Sequence, residues 1–113
     1  MNINFNGAKL QIGEKEIFFP ETICQVKYDE KNVYILLDIP EKKEFCYDDF
    51  HNIYGYSLDG EKIWQIGIRP KGDDIVYTMI GIDDTFLYAN DFVGRRYSVD
   101  KNTGEINGMR IVK

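Results

Sequence analysis

Strong helix formers are almost missing from this chain: alanine occurs twice and leucine five times in 113 residues. Isoleucine alone occurs 15 times, and Ile, Val, Thr, Phe, Tyr and Trp together supply 41 residues. Branched and aromatic side chains suit a pleated, half-buried surface, whereas a helix restricts their χ1 freedom. They come in short runs recurring about every 8–12 residues with turn-forming residues between them, the pattern of an antiparallel all-β domain. The sequence predicts about ten short strands and no convincing helix.

The predicted strands pair off around turn clusters. Ala8 to Ile12 and Glu16 to Phe19 flank Gly13-Glu14-Lys15, and Thr22 to Tyr28 and Asn32 to Asp38 flank Asp29-Glu30-Lys31. Ile53 to Leu58 and Lys62 to Ile68 flank Asp59-Gly60-Glu61, where an Asp-Gly pair supplies the positive φ of a tight turn. Ile75 to Ile80 and Thr85 to Ala89 flank Gly81-Ile82-Asp83-Asp84; Gly94 to Val99 and Glu105 to Ile111 flank Asp100 to Gly104. Pro20, Pro40 and Pro70 all fall between strands, where a missing N–H does no harm. The length suits one domain, 1–113, large enough to bury a core without disulfides or a metal.

Two stretches resemble each other. Tyr56-Ser57-Leu58-Asp59-Gly60-Glu61 leads into Lys62-Ile63-Trp64, and Tyr97-Ser98-Val99-Asp100 leads through Gly104-Glu105 into Ile106. The interval from Tyr56 to Tyr97 is 41 residues, within the range of propeller-blade repeats. The strings Tyr97 to Ile106 and Gly60 to Trp64 resemble the strand–turn–strand unit of quinoprotein-type β-propeller blades. That resemblance implies blade-like repeats over about 22–66 and 74–111. Two blades are too few to close the ring in which a quinone would sit, which typically takes about 4–8, so the resemblance implies a partial propeller or a two-sheet sandwich and nothing specific about a cofactor.

The first half is longer by 12 residues, and the excess falls within Asp38 to His51. This insertion holds five carboxylates and two lysines, interleaved with Phe45, Tyr47 and Phe50. Loops on a rigid scaffold are where binding residues tend to sit, and aromatic anchors beside acids suit a basic partner. The candidate contact residues are therefore Glu44, Tyr47, Asp48, Asp49 and Phe50, with Asp83 and Asp84 as a second patch.

Other chemistry is poorly supported. The one histidine, His51, could serve a Ser-His-Asp arrangement only with Ser57 or Ser98, and no Gly-x-Ser-x-Gly elbow is present. Cys24, Cys46 and His51 fall short of a structural zinc set, and no phosphate-cradling glycine loop or calcium loop occurs. The acid pairs Asp48-Asp49, Asp73-Asp74 and Asp83-Asp84 read as turn residues, since neighbours on a strand point to opposite faces. Arg95-Arg96 is the one adjacent arginine pair, with one arginine expected inward or against an acid and the other outward. A net charge of −5 argues against direct nucleic-acid binding. No enzyme, metal or cofactor is expected.

The first residues carry no charged and apolar leader, and no apolar run approaches the length of a membrane helix, so the expectation is a cytoplasmic protein without membrane attachment. The two cysteines are expected as buried free thiols. In type, though not in any motif, the chain resembles the small acidic immunity proteins of contact-dependent growth inhibition. That resemblance implies a partner, a basic toxin domain such as a nuclease, whose substrate cleft the protein would block. The alternative is a non-catalytic propeller-like structural or adaptor module.

Overall fold

The computed structural model describes residues 2–42, 44–70 and 75–111. Lys43, the Asp73-Asp74 pair and the expected start of the second repeat at 74 lie outside them.

Three antiparallel sheets follow one another along the chain, each a simple meander. Sheet A comprises β1 (Ile3–Asn6), β2 (Lys9–Ile12) and β3 (Lys15–Phe18). Sheet B comprises β4 (Ile23–Tyr28), β5 (Asn32–Leu37), β6 (Ile53–Ser57) and β7 (Lys62–Gln65). Sheet C comprises β8 (Tyr77–Ile82), β9 (Phe86–Asp91), β10 (Arg95–Asp100) and β11 (Ile106–Ile111). The fold is all-β and sandwich-like, and none of the described sheets closes. It differs from a two-sheet expectation by sheet A, whose first strand, β1, the sequence reading left out.

Side-chain alternation sets the layer order. On β5, Val33, Ile35 and Leu37 join Leu10, Ile12 and Phe19 of the sheet A side, with Tyr54 and Tyr56. Tyr34 and Leu36 point the other way and join Ile53, Trp64 and Ile66 against Leu87, Ala89, Tyr97 and Val99 of sheet C. Sheet B is thus the middle layer, which is why every residue of β5 is buried. Each fully buried aliphatic or aromatic side chain contributes about 1.5–3 kcal/mol. Between sheets, β1 approaches β4 while β4 and β5 approach β8, and on the far side of sheet B the Gly67 N–H donates to the Gly104 carbonyl at 2.9 Å.

Sheets B and C repeat one another in detail. Asp29 Oδ1 accepts the N–H groups of Lys31 and Asn32 (both 2.9 Å) while Oδ2 accepts the Tyr34 hydroxyl at 2.9 Å. Asp83 does the same with Thr85 (2.7 Å), Phe86 (2.8 Å) and the Tyr88 hydroxyl (2.7 Å). Ser57 and Asp100 each accept two turn N–H groups with their side chains, ahead of Gly60 and Gly104. The β-bulges recur as well, at Ile23/Gln25 and Tyr77/Met79, and at Gly55/Tyr56 and Ser98/Val99. The register makes Tyr97 the counterpart of Tyr54, because Tyr97 pairs with Ala89 as Tyr54 pairs with Ile35. The Tyr56–Tyr97 match read from sequence is therefore displaced by two residues. A serine hydroxyl and an aspartate carboxylate fill the same turn role, and letter-matching cannot see that equivalence.

Polar side chains fasten B to C at both ends. Asn52, fully buried, donates to the carbonyls of Leu37 (2.8 Å) and Tyr77 (2.9 Å) and accepts the Tyr77 N–H (3.0 Å). At the other end the Lys101 carbonyl accepts from Trp64 Nε1 (2.8 Å) and Asn32 Nδ2 (3.0 Å), and its ammonium pairs with Asp29 at 3.0 Å. Gly104 has φ +77°, and a Cβ there would lie 2.7 Å from the Trp64 ring, so the residue is glycine on two counts.

Candidate functional site

The insertion joins the end of β5 to the start of β6, and its centre folds into one helical turn, α1 (Tyr47–Phe50), where the sequence predicted none. Asp49 builds that turn. Its Oδ2 accepts the Cys46 N–H at 2.8 Å and its Oδ1 accepts Lys42 Nζ at 3.0 Å, while Lys42 also reaches Glu21 at 3.1 Å. Burial pushes the Asp49 carboxyl up, but the Cys46 and Lys42 hydrogen bonds outweigh it and leave it below the usual range. The Lys42 ammonium is held above its usual range by the hydrogen bonds it donates to Asp49 and Glu21. At 5% exposure Asp49 holds the loop together and does not face outward as the sequence reading had it.

The rest of the set does reach the surface. Glu44 and Asp48 are exposed, and Asp48 accepts a hydrogen bond from Gln65 at 3.1 Å. Tyr47 is 56% exposed, yet its ring stacks on the buried His51 imidazole with centroids 3.8 Å apart. Phe45, 40% exposed, stacks on the half-buried Phe50 at 5.5 Å. Phe45 was visible as an interleaved aromatic but was left out of the contact set, because sequence does not show which of two neighbouring rings lies on top. The two upper rings are fixed from below, so little side-chain entropy remains to be lost when a partner covers them.

Asp83 and Asp84 lie elsewhere. They sit in the β8–β9 turn, at the end of the sheets where Asn32 meets Lys101, whereas the insertion follows Leu37 at the opposite end. The two patches therefore cannot form one continuous contact surface. Around Asp83, three turns surround a cleft of about 630 Å³ lined by Asp29, Lys31, Asp83, Asp84, Phe86 and Lys101 among others. Burial raises the Asp29 carboxyl, but N–H bonds from Lys31 and Asn32, with Lys101 and the Tyr34 hydroxyl, hold it down to about 2. Asp83 is lowered by its Phe86, Tyr88 and Thr85 hydrogen bonds. Both carboxylates are thereby committed as acceptors, and in the β8–β9 turn both Asp83 and Asp84 are exposed.

His51 is 1% exposed, and its Nδ1–H donates to the Tyr47 carbonyl at 2.7 Å. Ser57 lies at the far end of β6 with its hydroxyl accepting turn N–H groups, so the two do not meet. Cys24 and Cys46 are free but exposed, not buried. Cys24 is the extra residue of the β4 bulge, which turns it away from the core, and partial burial and the Asp38 charge raise its thiol. Among the described residues no group of three or more His, Cys, Asp or Glu side chains is placed to hold a metal. No helix among them is long and apolar enough to cross a membrane. Arg95 pairs with the buried Asp91 at 2.8 Å and Arg96 points to the outer face, as the sequence suggested for that pair.

A family model described as a domain of unknown function, DUF7957, matches residues 1–111. The chain belongs to that family. No curated protein matches it.

Proposed function

We propose that the chain is an immunity protein that binds and neutralises a cognate basic toxin domain, a nuclease, with the α1 end as its contact surface. The observation that carries this reading is the pair of exposed rings, Phe45 and Tyr47, each pre-set by stacking and set beside Glu44 and Asp48. Rigid aromatic anchors in a polar surround have the make-up of binding hot spots. The acids supply long-range attraction, because a protein of net charge −5 steers a cationic partner toward itself. Carboxylates on such a surface can occupy the positions that phosphates take in a nuclease cleft.

The test is an affinity capture of the tagged chain from its own source, with parallel Tyr47→Ala and Glu44→Lys/Asp48→Lys baits. A basic partner held by the native chain is expected to be lost from the Tyr47→Ala bait, at a cost of about 2 kcal/mol or more. The charge-reversed bait is expected to associate about tenfold more slowly, with the native rate falling steeply in salt. A partner retained equally by all three baits would refute the α1 placement. Recovery of no partner beyond the chain itself would refute neutralisation and favour the structural module.

A further inference from the structure

The outer face of sheet C is the counterpart of the face that sheet B buries against C, and the two differ residue by residue. On sheet B the rows read Tyr34–Gly55–Trp64 and Leu36–Ile53, continued by Ile66. On sheet C the same rows read Tyr88–Ser98–Gly108 and Asn90–Arg96–Arg110. Where the middle layer carries an indole, the outer layer has Gly108, with nothing within 4 Å of an added Cβ, and Gly81 across the row is equally open. Where the middle layer carries isoleucines, the outer layer sets two arginines directly opposite each other.

Like charges placed directly opposite on paired strands repel. Among the described residues neither guanidinium has an acidic partner; Arg96 is steadied by the Asn90 side chain at 2.9 Å. The acids lie at the other end of the same face, with Asp83 and Asp84 in the β8–β9 turn and Asp100 closing β10. Between the basic and the acidic ends stands Tyr88, its hydroxyl donating to Asp83, beside the open space over Gly81 and Gly108.

We infer that this face pairs with a second copy of itself across a two-fold axis near Tyr88. A two-fold turn lays the Arg96–Arg110 row of one copy over the Asp83–Asp84 turn of the other, and the reverse contact forms by symmetry. Each Tyr88 ring then enters the hollow over the partner's small residues. The contact is self-complementary and closed, so it stops at a dimer. It uses no residue of α1; of the contact residues expected from the sequence it takes only Asp83 and Asp84, the second patch, and it stands or falls independently of the α1 contact surface.

The experiment is sedimentation of the purified chain over a range of concentrations, at low and high salt, with three samples. The native chain is expected to form a dimer that weakens in salt. Arg96→Glu/Arg110→Glu is expected to raise its dissociation constant about tenfold or more, and Asp84→Lys to weaken it less. The decisive sample mixes those two variants: the introduced glutamates meet the introduced lysine while the native arginines meet the native aspartates, so the heterodimer is expected to be tighter than either variant's own dimer. A native chain that is monomeric throughout would overturn the proposal. So would a dimer indifferent to both variants, which would place the contact on a sheet edge or elsewhere. Circular dichroism on each variant separates loss of pairing from loss of fold.

Discussion

Sheets B and C share their strand order, turn chemistry and bulges, yet one is buried on both faces and the other on one. The shared features are those the backbone needs: an aspartate that takes two N–H groups and a tyrosine hydroxyl, and a short polar side chain ahead of a left-handed glycine. The differences sit where a neighbouring layer is present or missing: Leu36, Ile53, Trp64 and Ile66 against Asn90, Arg96, Gly108 and Arg110. Stacked repeats need a polar outer face on the last unit to remain soluble. Local geometry is therefore conserved between the repeats, while surface chemistry is set by position in the stack.

Exchanging residues between equivalent positions is the sharpest way to break that comparison. Ile53→Arg places on sheet B the residue that sheet C carries, in a site with no water to solvate it. Urea unfolding is expected to show a loss of about 4 kcal/mol or more, while the reverse exchange, Arg96→Ile, changes stability by about 0.5 kcal/mol or less. Asn52→Ala removes three hydrogen bonds at the closed B–C seam and leaves the Tyr77 N–H without its acceptor, a cost of about 3 kcal/mol by the same measurement.

The glycines give a smaller contrast. A Cβ on Gly55 would lie 2.3 Å from the Trp64 ring, so Gly55→Ala is expected to cost about 1–3 kcal/mol. On the open face Gly108 stands where sheet B has Trp64, with nothing within 4 Å of an added Cβ; Gly108→Ala is expected to be neutral or to stabilise by a few tenths of a kcal/mol. Thermal melts of the pair would show whether the indole alone makes the difference.

A contrast confined to low pH concerns the two turn aspartates. Asp29 titrates near 2 in the fold and near 4 when unfolded, so its contribution is complete above about pH 4 and is lost as pH falls through 2. Asp29→Asn should flatten stability against pH in that window. Asp83→Asn should do so less, because Asp83 lacks the Lys101 ion pair that Asp29 has. Acid titrations of the two variants, followed by tryptophan fluorescence, rank them.

Much of the architecture was legible because antiparallel alternation is written locally: the hairpins around Asp29, Asp59-Gly60, Asp83 and Asp100 need only neighbours in sequence. Strand β1 was missed because Asn4 and Asn6 are poor strand formers, although Ile3 and Phe5 kept the two-residue period and pair with Ile12 and Leu10. The insertion was legible as a place, since its length and aromatic content are sequence properties. Which of its acids faces water was not, because Asp48 and Asp49 differ only through the backbone turn that Asp49 itself caps. Asn52 had no signal at all: a lone asparagine before a strand becomes a buried fastener only through contacts with Leu37 and Tyr77.

The order in which the sheets are strung along the chain has a consequence for biosynthesis. Sheet A and the inward face of sheet B can close over each other as soon as residue 65 has emerged. The opposite face of B, with Tyr34, Leu36, Ile53 and Trp64, waits for sheet C, the last third of the polypeptide. Until then a nascent chain presents an apolar sheet surface to the cytosol of whatever cell makes it, the kind of surface that chaperones bind and that aggregates when crowded. Translation pauses between residues 66 and 105 would lengthen that exposure, whereas pauses before residue 53 would not.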